Sequence, residues 1–491
     1  MRVVVVMIEA PVPFGKAVAR WYSVLLKELV ARGHRVTAFA ACGDPREMAE
    51  AKLLFPAPAY DLRLYAYPER RGLRAKLATL RRPHSYMFSA ALRADLAREL
   101  AAGFDVLHLE ELWAGWLSLR HADRALANVF YLACIDQALT RPRTLRGRLD
   151  RWLMLSAERR LLRRLKHFRV NSPRLVPEIL RINPRADVAV SPFGIDAGLY
   201  AYVPDARRTG DPVVTLIGSM GWSPSASAAV RLLTRLWPEI KRRVPAARLQ
   251  IVGWSARSVL ADYLHLPGVT IVENVPDARP YFEATAVFVY APARGSGVKV
   301  KVLEALAYGV PVVTTSEGVE GLAVTDGVEA GVADDDAGLV ERTVALLHNP
   351  AGQNRQRAAG RRLVETRYGP TPTVDALEAI YARMLNPRRW RDALVRPSLA
   401  RLPALALLGR LPRPAARRGR RRRDALAGLS RGVAHGPGRH GRGRRPHAGG
   451  GPRPRVRAGP PRRAVGGEEF LPPRRGPVAA HLAPGRLDDG A

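Results

Sequence analysis

The stretch with most chemical potential is Tyr290-Ala-Pro-Ala-Arg-Gly-Ser-Gly-Val-Lys-Val-Lys-Val-Leu-Glu304, followed by Ala305-Leu-Ala-Tyr-Gly-Val-Pro-Val-Val-Thr314. It reads as strand, glycine loop, helix and strand. Gly295 and Gly297 let backbone N–H groups approach an anion closely, and the following helix presents its positive N-terminus, so the segment Arg294-Gly295-Ser296-Gly297-Val298 has the form of a phosphate cradle. Lys299 and Lys301 stand at that helix start, where the macrodipole disfavours cations by about 0.3–1 kcal/mol. A bound diphosphate would reverse the penalty. The alternative is that Lys301 and Glu304, three residues apart, form a surface pair worth about 0.2–0.5 kcal/mol, in the poorer of its two orientations.

Other candidates are scattered. His108 stands at a predicted strand end ahead of Glu110 and Glu111, where it either faces a cleft and orients an acceptor or is a solvated loop histidine. His34 belongs to a helix-to-strand turn and reads as structural. The loop Pro11 to Lys16 follows the first strand, and its Gly15 and Lys16 are positioned to close on phosphates or on an acceptor. It lacks Gly-x-Gly-x-x-Gly, which argues against NAD. The only cysteines, Cys42 and Cys134, form neither a disulfide framework nor a metal-ligand spacing, so a reducing cytoplasm is the simplest home and no metal is expected.

The elements that must position these residues alternate short β-branched runs with amphipathic helices, the signature of parallel sheets covered on both faces. Strands are predicted at Val3 to Ile8, Arg35 to Ala40, Asp105 to Leu109, Asn128 to Ala133, Phe168 to Asn171 and Asp187 to Ser191. A second set follows at Val213 to Ile217, Arg248 to Val252, Val269 to Glu273, Ala286 to Tyr290 and Val310 to Thr314. The clearest helix, Trp21 to Ala31, stops at Gly33. Ala337 to Leu347 and Thr373 to Leu385 read as closing helices. The aperiodic Ala197 to Asp211 is the linker, dividing residues 1–196 from 212–369, with 370–387 as the closing helix.

The formal charge of +35 over 491 residues invites a nucleic-acid reading until it is located. From Arg388 onward the chain has 26 Arg, no Lys and 6 acidic residues, so this tail carries +20 and the rest +15. Its Arg, Pro, Gly and Ala composition cannot bury enough apolar surface to fold, so residues 388–491 are expected to be disordered, apart from a short helix at Leu399 to Leu411. The abrupt change also fits translation of a GC-rich gene in the wrong frame. Without aromatic interleaving or a recognisable module, a nucleic-acid partner is not expected, and binding through the tail is the rival reading.

Several motifs occur in order: Arg32-Gly-His-Arg-Val-Thr37, Phe104-Asp-Val-Leu-His108, Pro192-Phe-Gly-Ile-Asp196, Gly218-Ser-Met-Gly-Trp-Ser-Pro224, Ile251-Val-Gly253 and Lys301-Val-Leu-Glu-Ala-Leu-Ala-Tyr-Gly-Val-Pro-Val-Val313. Together they resemble the retaining GT-B glycosyltransferases of family 4, over about residues 1 to 385. The resemblance implies two Rossmann-like domains facing a cleft, the N-terminal one for the acceptor and the C-terminal one for a nucleotide-sugar donor. It implies that Glu304 binds the ribose hydroxyls, that Gly295 to Gly297 face the diphosphate and sugar, and that Gly218, Ser219 and Trp222 border the donor. Val275 would lie along the base, and Lys299 and Lys301 would offset the leaving diphosphate. The donor is then a substrate and no tightly bound cofactor is expected. The acceptor would be a glycan or lipid-linked sugar, reached by peripheral contact with the inner, anionic membrane face, to which arginines within 141–151 and 159–166 could contribute about 1 kcal/mol each. The alternative is that those helix faces are simply solvated. Two departures stand out. Ser296 occupies the place of a second glutamate seven residues before Glu304, and no Arg…Lys pair follows Val213 to Ile217. An epimerase, a phosphorylase or an inactive relative on the same fold would share the pattern.

Overall fold

The computed structural model describes residues 1–69, 82–118, 120–136, 144–202, 211–275, 277–295 and 297–386. Ser296, most of the expected linker, Arg141 and the tail with its expected 399–411 helix lie outside the described residues.

Two wholly parallel sheets organise the chain. The first orders its strands β3-β2-β1-β4-β5-β6-β7, with β1 Arg2–Met7, β2 Arg35–Cys42, β3 Asp61–Ala66, β4 Val106–Leu109, β5 Ala125–Val129, β6 His167–Val170 and β7 Asp187–Val190. The second orders β10-β9-β8-β11-β12-β13, with β8 Val213–Ile217, β9 Arg248–Gly253, β10 Val269–Glu273, β11 Val287–Tyr290, β12 Val312–Thr314 and β13 Gly331–Val332. In both, the order reverses beside the first strand. The crevices outside the carboxyl ends of β1 and β4, and of β8 and β11, are therefore the places where such sheets hold ligands. The expected two Rossmann-like units are present.

Sequence patterning accounts for most elements. The strands β1, β8 and β11 are runs of Val, Leu, Ile, Phe and Tyr buried on both faces, as parallel sheets require. The helix Ala17–Ala31 buries Trp21, Tyr22, Leu25, Leu26 and Leu29 on one face. It ends where Gly33, at φ +78°, donates to the Val30 carbonyl and His34 donates to that of Leu29, satisfying orphan carbonyls as the chain turns into β2. Three expectations are corrected. β5 lies at Ala125–Val129 rather than 128–133, because the chain turns away after Val129. β3 and β13 were not anticipated, the first being a half-buried edge strand and the second only two residues long.

The last described helix, Pro370–Leu385, packs on Ala17–Ala31 of the first half. Its Asp375 and Glu378 accept from Arg32 at 2.6 and 2.8 Å, Glu378 also meets His34 at 2.6 Å, and Arg383 pairs with Asp187 at 2.8 Å. His34 is thus a structural partner of that helix.

Candidate active site

The glycine loop after β11 leads into the helix Val300–Ala307, whose N-cap is Lys299. Gly297 holds φ +76°, and a Cβ there would lie 2.0 Å from the Phe130 carbonyl of the first half, so only glycine fits for both conformation and space. The glycine loop ahead of the helix therefore packs directly on the opposing domain at Phe130. The same edge is joined by Arg174, which donates to the Gly295 carbonyl at 3.3 Å and pairs with Glu317 at 2.7 Å.

The two lysines occupy different surroundings. Lys299 is 7 % exposed, donates to the Gly297 carbonyl and lies 3.5 Å from Glu320, which also accepts from Ser172 at 2.8 Å. Lys301 donates to Ser225 Oγ and lies 4.6 Å from the Tyr290 ring centroid, and among the described residues no carboxylate pairs with it. Burial first, and the Lys299 charge second, pull its ammonium down to about 7. Gly218 makes room for it, since a Cβ there would lie 2.5 Å from Lys301 Nζ. Gly218 and Lys301 thus meet at the β8–β11 switch point, while Gly295 lies against Lys299 and Pro224. The Lys301–Glu304 surface pair does not form.

Glu304, one turn further on, pairs instead with Arg20 from the opposing domain, and its side chain is 14 % exposed. Arg20 also donates to Tyr200 Oη at 3.2 Å and to the Gly15 carbonyl at 3.0 Å. It ties the 11–16 loop to the helix Val300–Ala307. Its neighbour Lys16 is 64 % exposed and pairs with Glu9 at 2.8 Å rather than reaching the glycine loop. Among the remaining expected residues, Ser219 caps no helix but accepts from the Trp222 N–H through its carbonyl at 3.3 Å, and Trp222 lies exposed, edge-on to Tyr131. Val275 packs half-buried against the second sheet's core, Val298 lies against Gly321, and Arg294 is exposed.

His108 is the clear correction. It is fully buried on β4, hydrogen-bonded through Nδ1 to Tyr381 of the closing helix and 3.1 Å from Glu110, so it neither faces a cleft nor sits in a solvated loop. Burial, followed by the Arg169 charge, holds its pKa well below the usual histidine range. Glu110 accepts from Trp21 at 3.0 Å and Asn128 at 2.8 Å, while burial pushes its carboxyl up to about 7. Arg169 stacks 4.3 Å from the Trp21 ring and donates to the Pro192 carbonyl. Arg20, Arg174 and Ser225 escaped sequence reasoning. Arg20 could have been sought as a polar residue on a helix that opens after a glycine loop, whereas Arg174 and Ser225 carry no such signal.

Two family models match. The one described as Glycosyl transferase 4-like domain covers residues 18–194, and the one described as Glycosyl transferases group 1 covers residues 211–349. The chain is a glycosyltransferase of GT-B fold. It is 27 % identical to a Mycolicibacterium smegmatis GDP-mannose-dependent alpha-(1-6)-phosphatidylinositol monomannoside mannosyltransferase, over 60 % of this chain and 81 % of that protein. Among solved structures, sucrose-phosphate synthase from Thermosynechococcus elongatus aligns at TM-score 0.57 and 19 % identity, covering 80 % of this chain and 100 % of that one. Anabaena HepE in complex with UDP and glucose aligns at TM-score 0.55 and 13 % identity, covering 77 % and 99 %. These distant structures share the fold.

Proposed function

We propose that this glycosyltransferase moves a sugar from a nucleoside-diphosphate sugar to a hydroxyl of a glycan or lipid-linked acceptor, with retention at the anomeric carbon, as a family 4 enzyme. Residues 212–369 hold the donor, residues 1–196 the acceptor, and 370–387 close the two. One observation carries the reading. Lys301 is a part-buried lysine that has no carboxylate partner among the described residues, set beside Gly218 at the switch point of the second sheet. A cation so placed costs stability unless an anion joins it, and a diphosphate bridging Lys301 and the Gly295–Gly297 backbone supplies that charge.

The residues then divide the work. Departure of the nucleoside diphosphate concentrates negative charge on its terminal phosphate, and the Lys301 ammonium, with the free N–H groups at the start of the Val300–Ala307 helix, offsets it in a site of low dielectric. Lys299 holds the loop in shape through the Gly297 carbonyl and adds to the local positive potential. Glu304 exchanges Arg20 for the ribose hydroxyls, contacts worth about 1.5–3 kcal/mol to a charged acceptor. Gly218 to Trp222 border the donor, and Val275 lies along its base. The relatives support a nucleotide-sugar donor: one is named as GDP-mannose-dependent, and another was solved with UDP and glucose.

A thermal-shift panel of nucleotide sugars identifies the donor, since a ligand at 100 times its Kd stabilises by about 2.7 kcal/mol. With that donor, Lys301→Ala and Glu304→Ala should each lower turnover by about tenfold or more, a loss of roughly 1.4 kcal/mol or above. Unchanged kinetics in both variants would refute the assignment. The anomeric configuration of the product, read by NMR, tests retention.

A further inference from the structure

The turn that follows β12 carries two carboxylates, Glu317 and Glu320, to which the proposed transfer gives no task. Glu320 lies deeper, with its side chain 7 % exposed, and three groups converge on it. Lys299 of the same domain stands 3.5 Å from its Oε2. The other two come from the first domain, just beyond β6: Ser172 donates to Oε1 at 2.8 Å, and Arg174 lies 3.6 Å from Oε2. Arg174 also pairs with Glu317 at 2.7 Å and donates to the Gly295 carbonyl at 3.3 Å. Close backbone approaches flank these charges. A Cβ on Gly297 would stand 2.0 Å from the Phe130 carbonyl oxygen, and one on Gly321 would stand 2.5 Å from that of Asn171. Both segments of the second domain are thus held against the chain just beyond β5 and β6.

We propose that Arg174 and Glu320 are positioning residues, a charged clasp by which the first domain sets the shape of the glycine loop; the diphosphate task of that loop rests on the proposed donor reading. Lys299 donates to the Gly297 carbonyl while facing Glu320, and Arg174 donates to the Gly295 carbonyl while facing Glu317. Each cation thus bridges a loop carbonyl and a carboxylate. Two oxygens that would repel a phosphate are occupied, and the loop is pinned at both glycines. Burying the Lys299–Glu320 pair adds little net stability, because desolvation offsets the attraction, whereas loss of either partner strands the other charge. Such a pair is better suited to excluding other loop shapes than to holding the fold together. Arg174, with its side chain 38 % exposed, likewise contributes little to overall stability. A side chain that adds so little to the fold, yet touches a loop carbonyl and both carboxylates, acts on the loop.

Limited trypsin digestion of the full chain reads the loop without any nucleotide, because the bond after Arg294 lies at its start. Arg174→Ala should speed cleavage after Arg294, resolved by mass spectrometry, by about fivefold or more, with Tm changed by no more than about 2 °C. Calorimetric titration with UDP and with GDP reads the consequence. Whichever of the two binds the natural chain should bind Arg174→Ala and Glu320→Gln about tenfold more weakly, and Arg174→Lys, which keeps the charge, should recover to within about threefold. Arg181→Ala, which removes an exposed pair with Glu178 on the helix that Arg174 precedes, should match the natural chain in both assays. A residue that only stabilised the fold would lower Tm and leave nucleotide affinity unchanged well below the transition. Cleavage after Arg294 no faster in Arg174→Ala, or nucleotide affinity unchanged in both Arg174→Ala and Glu320→Gln, would overturn the proposal. Binding of neither nucleotide to the natural chain would instead sink the donor reading, with the digestion still deciding the clasp.

Discussion

Two charged clusters, one buried and one part-buried, sit at equivalent edges of the two sheets, and they are finished differently. At the end of β4, Arg169 has the Glu110 carboxylate nearby and the Trp21 face against it, and the closing helix seals the group through Tyr381. At the ends of β8 and β11, Lys301 has a hydroxyl and an aromatic face but, among the described residues, no carboxylate. The first cluster holds its own counter-charge in Glu110, although Arg169 Nε and Nη1 and His108 Nε2 find no hydrogen-bond partner among the described residues, and it joins the closing helix to the first domain through Tyr381. The second is short of negative charge among the described residues, and that shortage is what the proposed donor diphosphate would supply. A fold that repeats the same crevice twice can thus use one as a joint and the other as a cradle.

Substitution should separate the two roles. Glu110→Ala leaves Arg169 buried without its carboxylate and should destabilise the fold by about 3–5 kcal/mol in urea unfolding. A loss below about 1 kcal/mol would mean that the first cluster is no joint. Lys301→Met should do the opposite, raising stability by about 1–4 kcal/mol near neutral pH while donor binding weakens by about tenfold or more. Its sign with pH follows from the lowered pKa. Between about 7 and 10.5 the unfolded chain keeps the Lys301 proton that the folded chain has lost, so the natural protein grows more stable as pH rises through that window. The advantage of Lys301→Met should therefore be full at pH 7 and below and fade toward pH 10.5. Differences in Tm between the two proteins across this range check it.

The same contrast explains what the sequence could tell. Runs of β-branched residues announce strands, so buried β8 and the edge strand β10, in which only Ile271 is buried, are both legible to the residue, and the glycine loop with its lysines stands out because glycine spacing is a local property. Alanine is a weak strand marker, which is why Ala125-Leu-Ala-Asn-Val129 was placed too late. His108 was misread for a different reason. A strand end says nothing about what covers it, and its cover is Tyr381, 273 residues away. Glu304 stands on the helix that the sequence places after the glycine loop, yet its partner Arg20 comes from the other domain, 284 residues distant. The difference between Lys299 and Lys301 likewise depends on Glu320 and Ser225, which no spacing connects to them.

Proton uptake on donor binding tests the central claim most directly. Calorimetric titration of the donor nucleotide in buffers of different ionisation enthalpy, about one pH unit above 7, should show uptake approaching one proton per site, because the diphosphate returns Lys301 to its ammonium form. Uptake should vanish about one to two units below 7, where Lys301 is already charged, and should be missing in any residual binding by Lys301→Met. Donor binding without proton uptake above neutrality, or uptake that persists unchanged in Lys301→Met, would contradict the account.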